Sequence, residues 1–533
     1  MENPSISLGN GKWATKDGKL LGSVLNEENR YAAIPFDFSR ASSGTSINKQ
    51  GLVQLDYLGN ELVVNGDFAT DSDWTNNGSV LPYITISGGV LNSNNTIAGS
   101  WHTEYVSQSI AFVNTKNYLV TFRARNIGGS LTLRLTQGGN IITDKTLASD
   151  WATYTVTYTA NADNGSIRLF NNGSVSQFEL SNISVKEVLP NEARIDYSDD
   201  ANGAMLLEPA STNLVTNSAF GVYATNHPAS SPTTTAPDGS MTAITPVPDS
   251  IGGNRYEYDI ASNAVATNSK VTYSWYSKRL STPHNTGYVG DLYIKSLANL
   301  TQVGISKQIQ SNINGFNRFE AVFNVTNGAA SSKVRAYYGY SIGLGNMTVA
   351  YWGHQLEALP YATSLIPTTG GIATRTADLC NNGGAVTDFN STEGVLYVEM
   401  AALTESNTSN AAISISDNTT SNRIFMNYST TTNVIKLTSV VGNSVAAFKQ
   451  YTLTDATSIQ KIAFRWNGTT YSLFIDGDSK GDDDRSLSFP EGTLTTASFN
   501  RGSQAEHFYG KVKDLRVYKK ALTDAELITL TTL

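Results

Sequence analysis

Apolar and polar residues alternate in short runs along most of the chain. YLVTFRAR (Tyr118–Arg125), TYTVTYTA (Thr153–Ala160), KVTYSWYSK (Lys270–Lys278) and YSLFIDG (Tyr471–Gly477) each put every second residue on one face. A period of two, rich in Val, Thr and Tyr and broken by Asn and Gly, predicts half-buried antiparallel strands. Helical periodicity is nearly absent. One helix is predicted near the C-terminus, where Thr523 and Glu526 stand at capping-box spacing before a short apolar stretch. The chain therefore reads as all-β, a multidomain set of β-sandwiches.

The pattern also repeats. LVVNGDF begins at Leu62 and LVTNSAF at Leu214, 152 residues later. VTFRAR ends at Arg125 and YSWYSK at Lys278, an offset of 153. Trp151 and Phe316 mark the next blocks at an offset of 165, and Arg168 and Arg335 follow at 167. SNISVKEV (Ser181–Val188) and GHQLEAL (Gly353–Leu359) close the two copies. A single rise in offset after Lys278 is what one loop insertion in a duplicated domain produces. Two unrelated sandwiches with generic strands are the alternative. The expected organisation is an N-terminal segment (1–57), a first jelly roll (58–189), a return segment (190–213), a second jelly roll (214–366), a Gly- and Thr-rich linker (367–384) and a third sandwich (385–533).

Composition narrows the function classes. The chain has 533 residues, 40% of them hydrophobic, which is enough for several cores. Only 15% are charged, and Thr, Ser, Asn and Gly fill the gap, as suits strands joined by polar turns. The formal charge is −8, so a nucleic-acid partner, which needs basic patches, is not expected. Cys380 is the sole cysteine and excludes an intrachain disulfide. The stretch MENPSISLGNGKWATKDGK lacks the apolar centre of a signal peptide, and no run nears the roughly 20 apolar residues of a membrane span. Folding in a cytoplasm without membrane insertion is the expectation.

Three resemblances rest on particular motifs. NGDF (Asn65–Phe68) with Trp74, VTFRAR and the closing ISVKEV resembles the jelly-roll carbohydrate-binding modules found beside xylanases and glucanases. The second copy matches less closely, since it lacks the Gly-Asp of the first. FYGKVKDLRVYKKALTDAEL and YSLFIDG resemble the last strand, cap and central hairpin of a laminin-G or concanavalin-like sandwich. PFDFSRASSGTSINKQGLV (Pro35–Val53), ARIDYSDDANGAMLLEPASTNLV (Ala193–Val215) and GHQLEALPYATSLIPTTGGIATRTAD (Gly353–Asp378) are similar to a recurring set in bacteriophage tail and fibre proteins. In that set the first two segments often run together. Here residues 54–192 separate them, so the 58–189 module reads as an insertion, which exposed, close termini tolerate.

The last resemblance implies a virion protein assembled in the host cytoplasm: a fibre, spike or decoration component. Residues 1–57 would attach it to the particle, other virion proteins would be its partners, and host cell-surface glycan its ligand. Homo-oligomers, trimers above all, are that family's habit, although no heptads enforce one here. A purely structural head or tail component and a polysaccharide depolymerase remain alternatives. The missing signal peptide counts against a bacterial surface adhesin.

Candidate chemistry is sparse. Glycan binding needs aromatic faces beside amide and charged groups. Trp101, His102 and Tyr105 lie in the polar stretch AGSWHTEYVSQS, Tyr288 and Tyr293 in the insertion-rich part of the second copy, and Tyr337, Tyr338 and Tyr340 in VRAYYGYS. The glycan-binding candidates are Trp101, His102, Tyr105, Tyr288 and Tyr338; Trp275 and Trp352 read as core. DGDSKGDDDR (Asp476–Arg485) is either a hairpin turn with a solvated acidic loop or a calcium clamp through Asp476, Asp478 and Asp482, without the closing glutamate of an EF-hand. Structural calcium thus stays open, and no other cofactor is expected. The five histidines show no metal-ligand spacing. Glycan hydrolysis needs two placed carboxylates, but the last domain has no alternating acids, and Glu179 and Glu187 have no evident partners. The protein is expected not to be an enzyme.

Overall fold

The computed structural model describes residues 2–16, 19–25, 31–42, 44–55, 58–77, 84–95, 105–128, 132–171, 176–188, 192–218, 224–225, 232–240, 242–245, 255–259, 269–281, 289, 292–297, 300–325, 333–337, 348–368, 372–405 and 411–533. Strands dominate them. The one α-helix among them, Asp524–Thr531, starts at the predicted cap: the Thr523 hydroxyl accepts from the Glu526 amide, and the Glu526 carboxylate accepts from the Thr523 amide at 2.9 Å. Leu527 and Leu530 then bury themselves with Val395, Tyr397 and Phe474 of the adjoining sheet.

The chain forms two compact units. One is Tyr57–Leu189; the other joins Met1–Asp56 to Pro190–Leu533.

The smaller unit packs two sheets face to face. In one, Asn117–Gly128 lies between Ala152–Thr159 and Ser176–Val188. In the other, Ser166–Asn171 lies between Tyr105–Ser109 and Thr132–Gln137. Alternation sends Val120, Phe122 and Val185 inward from the first sheet to meet Val106, Leu135 and Leu169 from the second.

The same construction recurs in the larger unit. Lys270–Arg279 lies between Phe316–Val325 and Val349–Glu357. Opposite it, Lys333–Tyr337 lies between Arg255–Asp259 and Tyr293–Leu297. The echoed heptapeptides make matching backbone bonds. Leu62 N donates to Val185 O at 3.0 Å, and Ile183 N donates to Gly66 O at 2.8 Å. In the second copy Leu214 N donates to Leu356 O at 2.8 Å, and His354 N to Ser218 O at 3.0 Å. Each heptapeptide is thus tied to the closing strand of its own copy. Trp275 is fully buried and stacks on Phe319 with centroids 5.8 Å apart, and Trp352 is buried with its indole N–H donating to Thr242.

The rest of the larger unit centres on strand Gly510–Tyr518. Glu393–Ala402 pairs along one edge. Two distant segments share the other edge: Ile6–Gly9 opposite Asp514–Val517, and Ala204–Leu207 opposite Gly510–Val512. Lys19–Leu25, Tyr31–Ser39 and Leu379–Asn381 continue the sheet outward. A second sheet of Ala411–Ser416, Arg423–Tyr428, Val434–Val441, Ser444–Thr452 and Thr496–Ser498 packs against it over a core that includes Val398, Phe464, Trp466, Ile413, Met426 and Leu437.

Two expectations change here. Residues 1–57 do not stand apart, since their strands belong to the sheet of the C-terminal sandwich. Residues 367–384 are not a bare linker, since Ala373–Arg375 pairs with Ser211–Asn213 and Leu379–Asn381 with Tyr31–Ser39. Periodicity reveals a strand but not its partner, and here the partners lie hundreds of residues away.

The segments flanking the smaller unit are stitched together. Tyr197 N donates to Ile47 O at 2.8 Å, and Ile47 N donates to Asp196 Oδ2 at 3.1 Å. Beside this seam lies a buried ionic cluster. Arg40 pairs with Asp378 at 2.9 Å, Arg194 with Asp378 and with Glu208, and Arg375 with Glu208 at 2.8 Å. The Ser364 hydroxyl donates to Glu208 and accepts from Arg375. Three distant segments contribute to this cluster: Arg40 from 35–53, Arg194 and Glu208 from 193–215, and Ser364, Arg375 and Asp378 from 353–378. Burial alone would raise the Glu208 carboxyl, but Arg375 and Arg194 beside it prevail and hold it at about 2.

Candidate functional site

The smaller unit's five-stranded sheet turns one face to the core and one away from it. Val106, Leu133, Leu135, Ile167 and Leu169 point inward. Their neighbours in sequence therefore occupy the outer face. Register sets them side by side: Tyr105 opposite Phe170, Phe170 opposite Arg134, and Arg134 opposite Asp144. The Tyr105 and Phe170 rings lie with centroids 5.0 Å apart. The Arg168 guanidinium sits 4.8 Å from the Tyr105 ring centroid and is steadied through Nε by Ser166 Oγ at 3.1 Å. Arg134 and Asp144 form a two-pronged pair, both bonds 2.7 Å. Asn77 Nδ2 donates to Ser107 Oγ at 2.9 Å on the same face.

The result is a half-buried Tyr105 ring, packed on a Phe170 that is only 6% exposed and bordered by guanidinium, carboxylate, amide and hydroxyl groups on a rigid sheet. The ring face suits the apolar side of a sugar, and the border suits its hydroxyls. The two-pronged pair fixes Arg134 and Asp144, so a ligand meets them already ordered.

Of the predicted glycan-binding residues, Tyr105 lies on this face. Trp101, His102, Tyr288 and Tyr338 lie outside the described residues. Alternation in the second copy puts Tyr293 opposite Tyr337 at the positions matching Arg134 and Phe170, with ring centroids 5.7 Å apart and Tyr293 exposed. Arg134, Arg168, Phe170 and Asp144 escaped the sequence reading because each is unremarkable alone; only register brings them together.

The acidic run forms a hairpin. Asp476 and Gly477 turn the chain at φ values of 49° and 84°, which the Asp-Gly pair favours. Asp476 Oδ1 accepts from the Lys461 amide at 2.8 Å, Asp478 pairs with Lys480 at 3.3 Å, and Asp482 lies opposite Ser472. Among the described residues no group of three His, Cys, Asp or Glu side chains could hold a metal ion. Cys380 is buried, and burial pushes its thiol up.

Glu179 pairs with Arg125 at 2.5 Å and Glu187 with Lys116 at 3.2 Å, cations rather than the second carboxylate that hydrolysis needs. The C-terminal sandwich also holds two adjacent acids that no alternation within one strand could reveal. Glu399 and Asp514 face one another across neighbouring strands. Glu399 accepts from the Tyr397 hydroxyl at 2.6 Å, and Asp514 pairs with Arg516 at 2.5 Å. Burial outweighs Arg516 and lifts the Asp514 carboxyl to about 6, in the range of a general acid, but Asp514 is only 1% exposed.

The sequence pattern of the concanavalin A-like lectin/glucanases superfamily matches residues 396–528. This C-terminal region is a laminin-G-like, concanavalin-like domain. No curated protein matches the chain. Solved structures similar to part of it include the CBM40 module of a Ruminococcus gnavus sialidase bound to α2,3-sialyllactose, at 15% identity and a TM-score of 0.24, over 28% of this chain and 93% of that one. A BiXyn10A CBM1 module without ligand is 16% identical over 25% of this chain and 99% of its own, with a TM-score of 0.21. A CBM4 module is 18% identical over 27% and 99%, with a TM-score of 0.19.

Proposed function

We propose that the protein is a non-enzymatic, glycan-binding component of a bacteriophage virion, a fibre, spike or decoration protein that attaches the particle to host-surface glycan. The observation that carries this reading is the half-buried Tyr105 ring, backed by Phe170, with Arg168, Arg134 and Asp144 around it. The C-terminal domain's membership in a superfamily that includes lectins supports the same ligand class. The phage setting is supported by the three segments that resemble tail and fibre proteins. Binding without cleavage is supported by Glu399 and Asp514, which are already engaged by Tyr397 and Arg516, Asp514 out of a glycan's reach. Several copies on one particle, a trimer foremost, would multiply weak sites into firm attachment.

Two measurements test this. Purified particles should contain the chain by mass spectrometry, and the full chain should bind host polysaccharide on a glycan array, with Tyr105→Ala weakening it. Particles containing the chain, with no glycan bound by it, would leave a purely structural component. New reducing ends released from host capsule would instead make it a depolymerase.

A further inference from the structure

The C-terminal sandwich carries a second surface of different character. Its sheet of Ala411–Ser416, Arg423–Tyr428, Val434–Val441 and Ser444–Thr452 sends Ile424, Met426 and Leu437 into the core. The alternate residues face the other way and wall a cavity of about 420 Å³, lined by Arg423, Phe425, Thr438, Val440, Phe448 and Arg501 among others. Phe425 is held between two guanidiniums, those of Arg423 and Arg501, each 5.1 Å from its ring centroid. Phe448 and Val445 stand exposed at the rim, 41% and 45% accessible.

Two arginines and two acids, Glu506 and Asp417, interact at this spot. Glu506 pairs with Arg501 at 2.8 Å. Arg423 is only 8% exposed and, among the described residues, has no carboxylate within ion-pair reach; its Nη1 donates to the Arg501 carbonyl at 3.0 Å. Buried donors left without partners lie here too: Arg423 Nε, Arg501 Nε and, on the strand beside Phe425, Ser414 Oγ. Such atoms are rare in folded proteins and are normally met by water, an ion or a ligand. Burial first, and then the neighbouring Arg501, disfavour the charge on Arg423 and outweigh Glu506 and Asp417, which favour it; an anion in the cavity would favour it further.

We infer that this cavity is an anion-selective sugar site: Arg423 and Arg501 take a carboxylate or sulfate group, and Phe448 takes the apolar face of the ring that bears it. An anion without a ring leaves Phe448 idle, and a neutral sugar leaves the guanidiniums idle. The ligand class is therefore an acidic glycan, carboxylated or sulfated. This rests on the glycan-binding reading but uses a different domain from the Tyr105 face, so the two can fail separately.

The test is calorimetric titration of the full chain, at low salt, with oligogalacturonate, a sulfated dextran oligosaccharide and uncharged dextran. The two acidic probes separate carboxylate from sulfate recognition. Saturable binding of at least one acidic probe is expected, with uncharged dextran at least about tenfold weaker. Arg423→Gln should weaken the acidic probe by about tenfold or more. Phe448→Ala, at an exposed position that does not threaten folding, should weaken it about fivefold. Equal affinity for charged and uncharged probes, no acidic binding at all, or acidic binding indifferent to both Arg423→Gln and Phe448→Ala would overturn the inference. Binding of neutral glycan that is lost in Tyr105→Ala and spared in Phe448→Ala, without acidic binding, would sink it while leaving the broader reading intact.

Discussion

Arg194 donates from Nη2 to Oδ2 of Asp378, 184 residues further along the chain, and both side chains are closed to solvent. The pair belongs to a cluster in which Asp378 also serves Arg40 and Glu208 serves both Arg194 and Arg375. Removing one member strands a charge that water cannot reach. Asp378→Asn should lower unfolding stability by about 3–5 kcal/mol, read as a shift in denaturant midpoint. A loss under about 1 kcal/mol would mean that the cluster is hydrated.

Acid should loosen the same seam. The Glu208 carboxyl is held near 2, below its unfolded value of 4.5, so its stabilisation is complete above 4.5 and drains away as pH falls through about 2. Thermal midpoints should fall across that window. Glu208→Gln should start lower at neutral pH and show a shallower fall; an unchanged slope would assign the acid sensitivity elsewhere.

On the outer face of the smaller unit, Tyr105→Ala should cost about tenfold in glycan affinity, since a stacked aromatic ring contributes roughly 1–1.5 kcal/mol. Arg134→Leu, which also frees Asp144, should weaken binding as well. Unaltered affinity in both variants would move the site off this sheet.

The two heptapeptides are not interchangeable. A Cβ at Gly66 would lie 2.2 Å from the Ile183 carbonyl, whereas Ser218 fills the matching position of the second copy while keeping its bond to His354. Gly66→Ser, which writes the second copy's residue into the first, should destabilise the smaller unit by about 3 kcal/mol, measured by calorimetry.

Fragment 385–533, expressed alone, should aggregate or form dimers in size-exclusion chromatography. It lacks Ile6–Gly9 and Ala204–Leu207, so the edge of Gly510–Tyr518 is left unpaired. Supplying residues 1–56 and 190–384 on the same chain should restore a monodisperse species; a well-behaved monomeric fragment would show that the edge protects itself.

Much of this was legible along the chain and some was not. Alternation in Tyr118–Arg125 and Lys270–Lys278 gives strands because a sheet with one face in the core imposes a period of two. The helix after Thr523 announces itself because a capping box is local. The pairing of Ile6 with Val517 is not local and leaves no mark on either segment. The candidate sites fail for the same reason. Tyr105 stands out as an aromatic in a polar stretch, but Arg134, Arg168 and Phe170 become a surface only through register. Glu399 and Asp514 escape a search for alternating acids because they alternate across strands.

The shared edge of Gly510–Tyr518 also fixes an order of events during synthesis. Ile6–Gly9 and Ala204–Leu207 emerge early and pair on one side with Lys19–Leu25 and Arg194–Asp196, but their other edges stay open until residues 510–518 have been made. Among the described residues, the strands of the unit at Tyr57–Leu189 pair only within its own span, so it can finish in the meantime. Every chain cut short before residue 510 therefore carries an open sheet edge, the state that chaperones and proteases recognise. Closure of this sheet therefore waits on residues 510–518, whatever has folded before them.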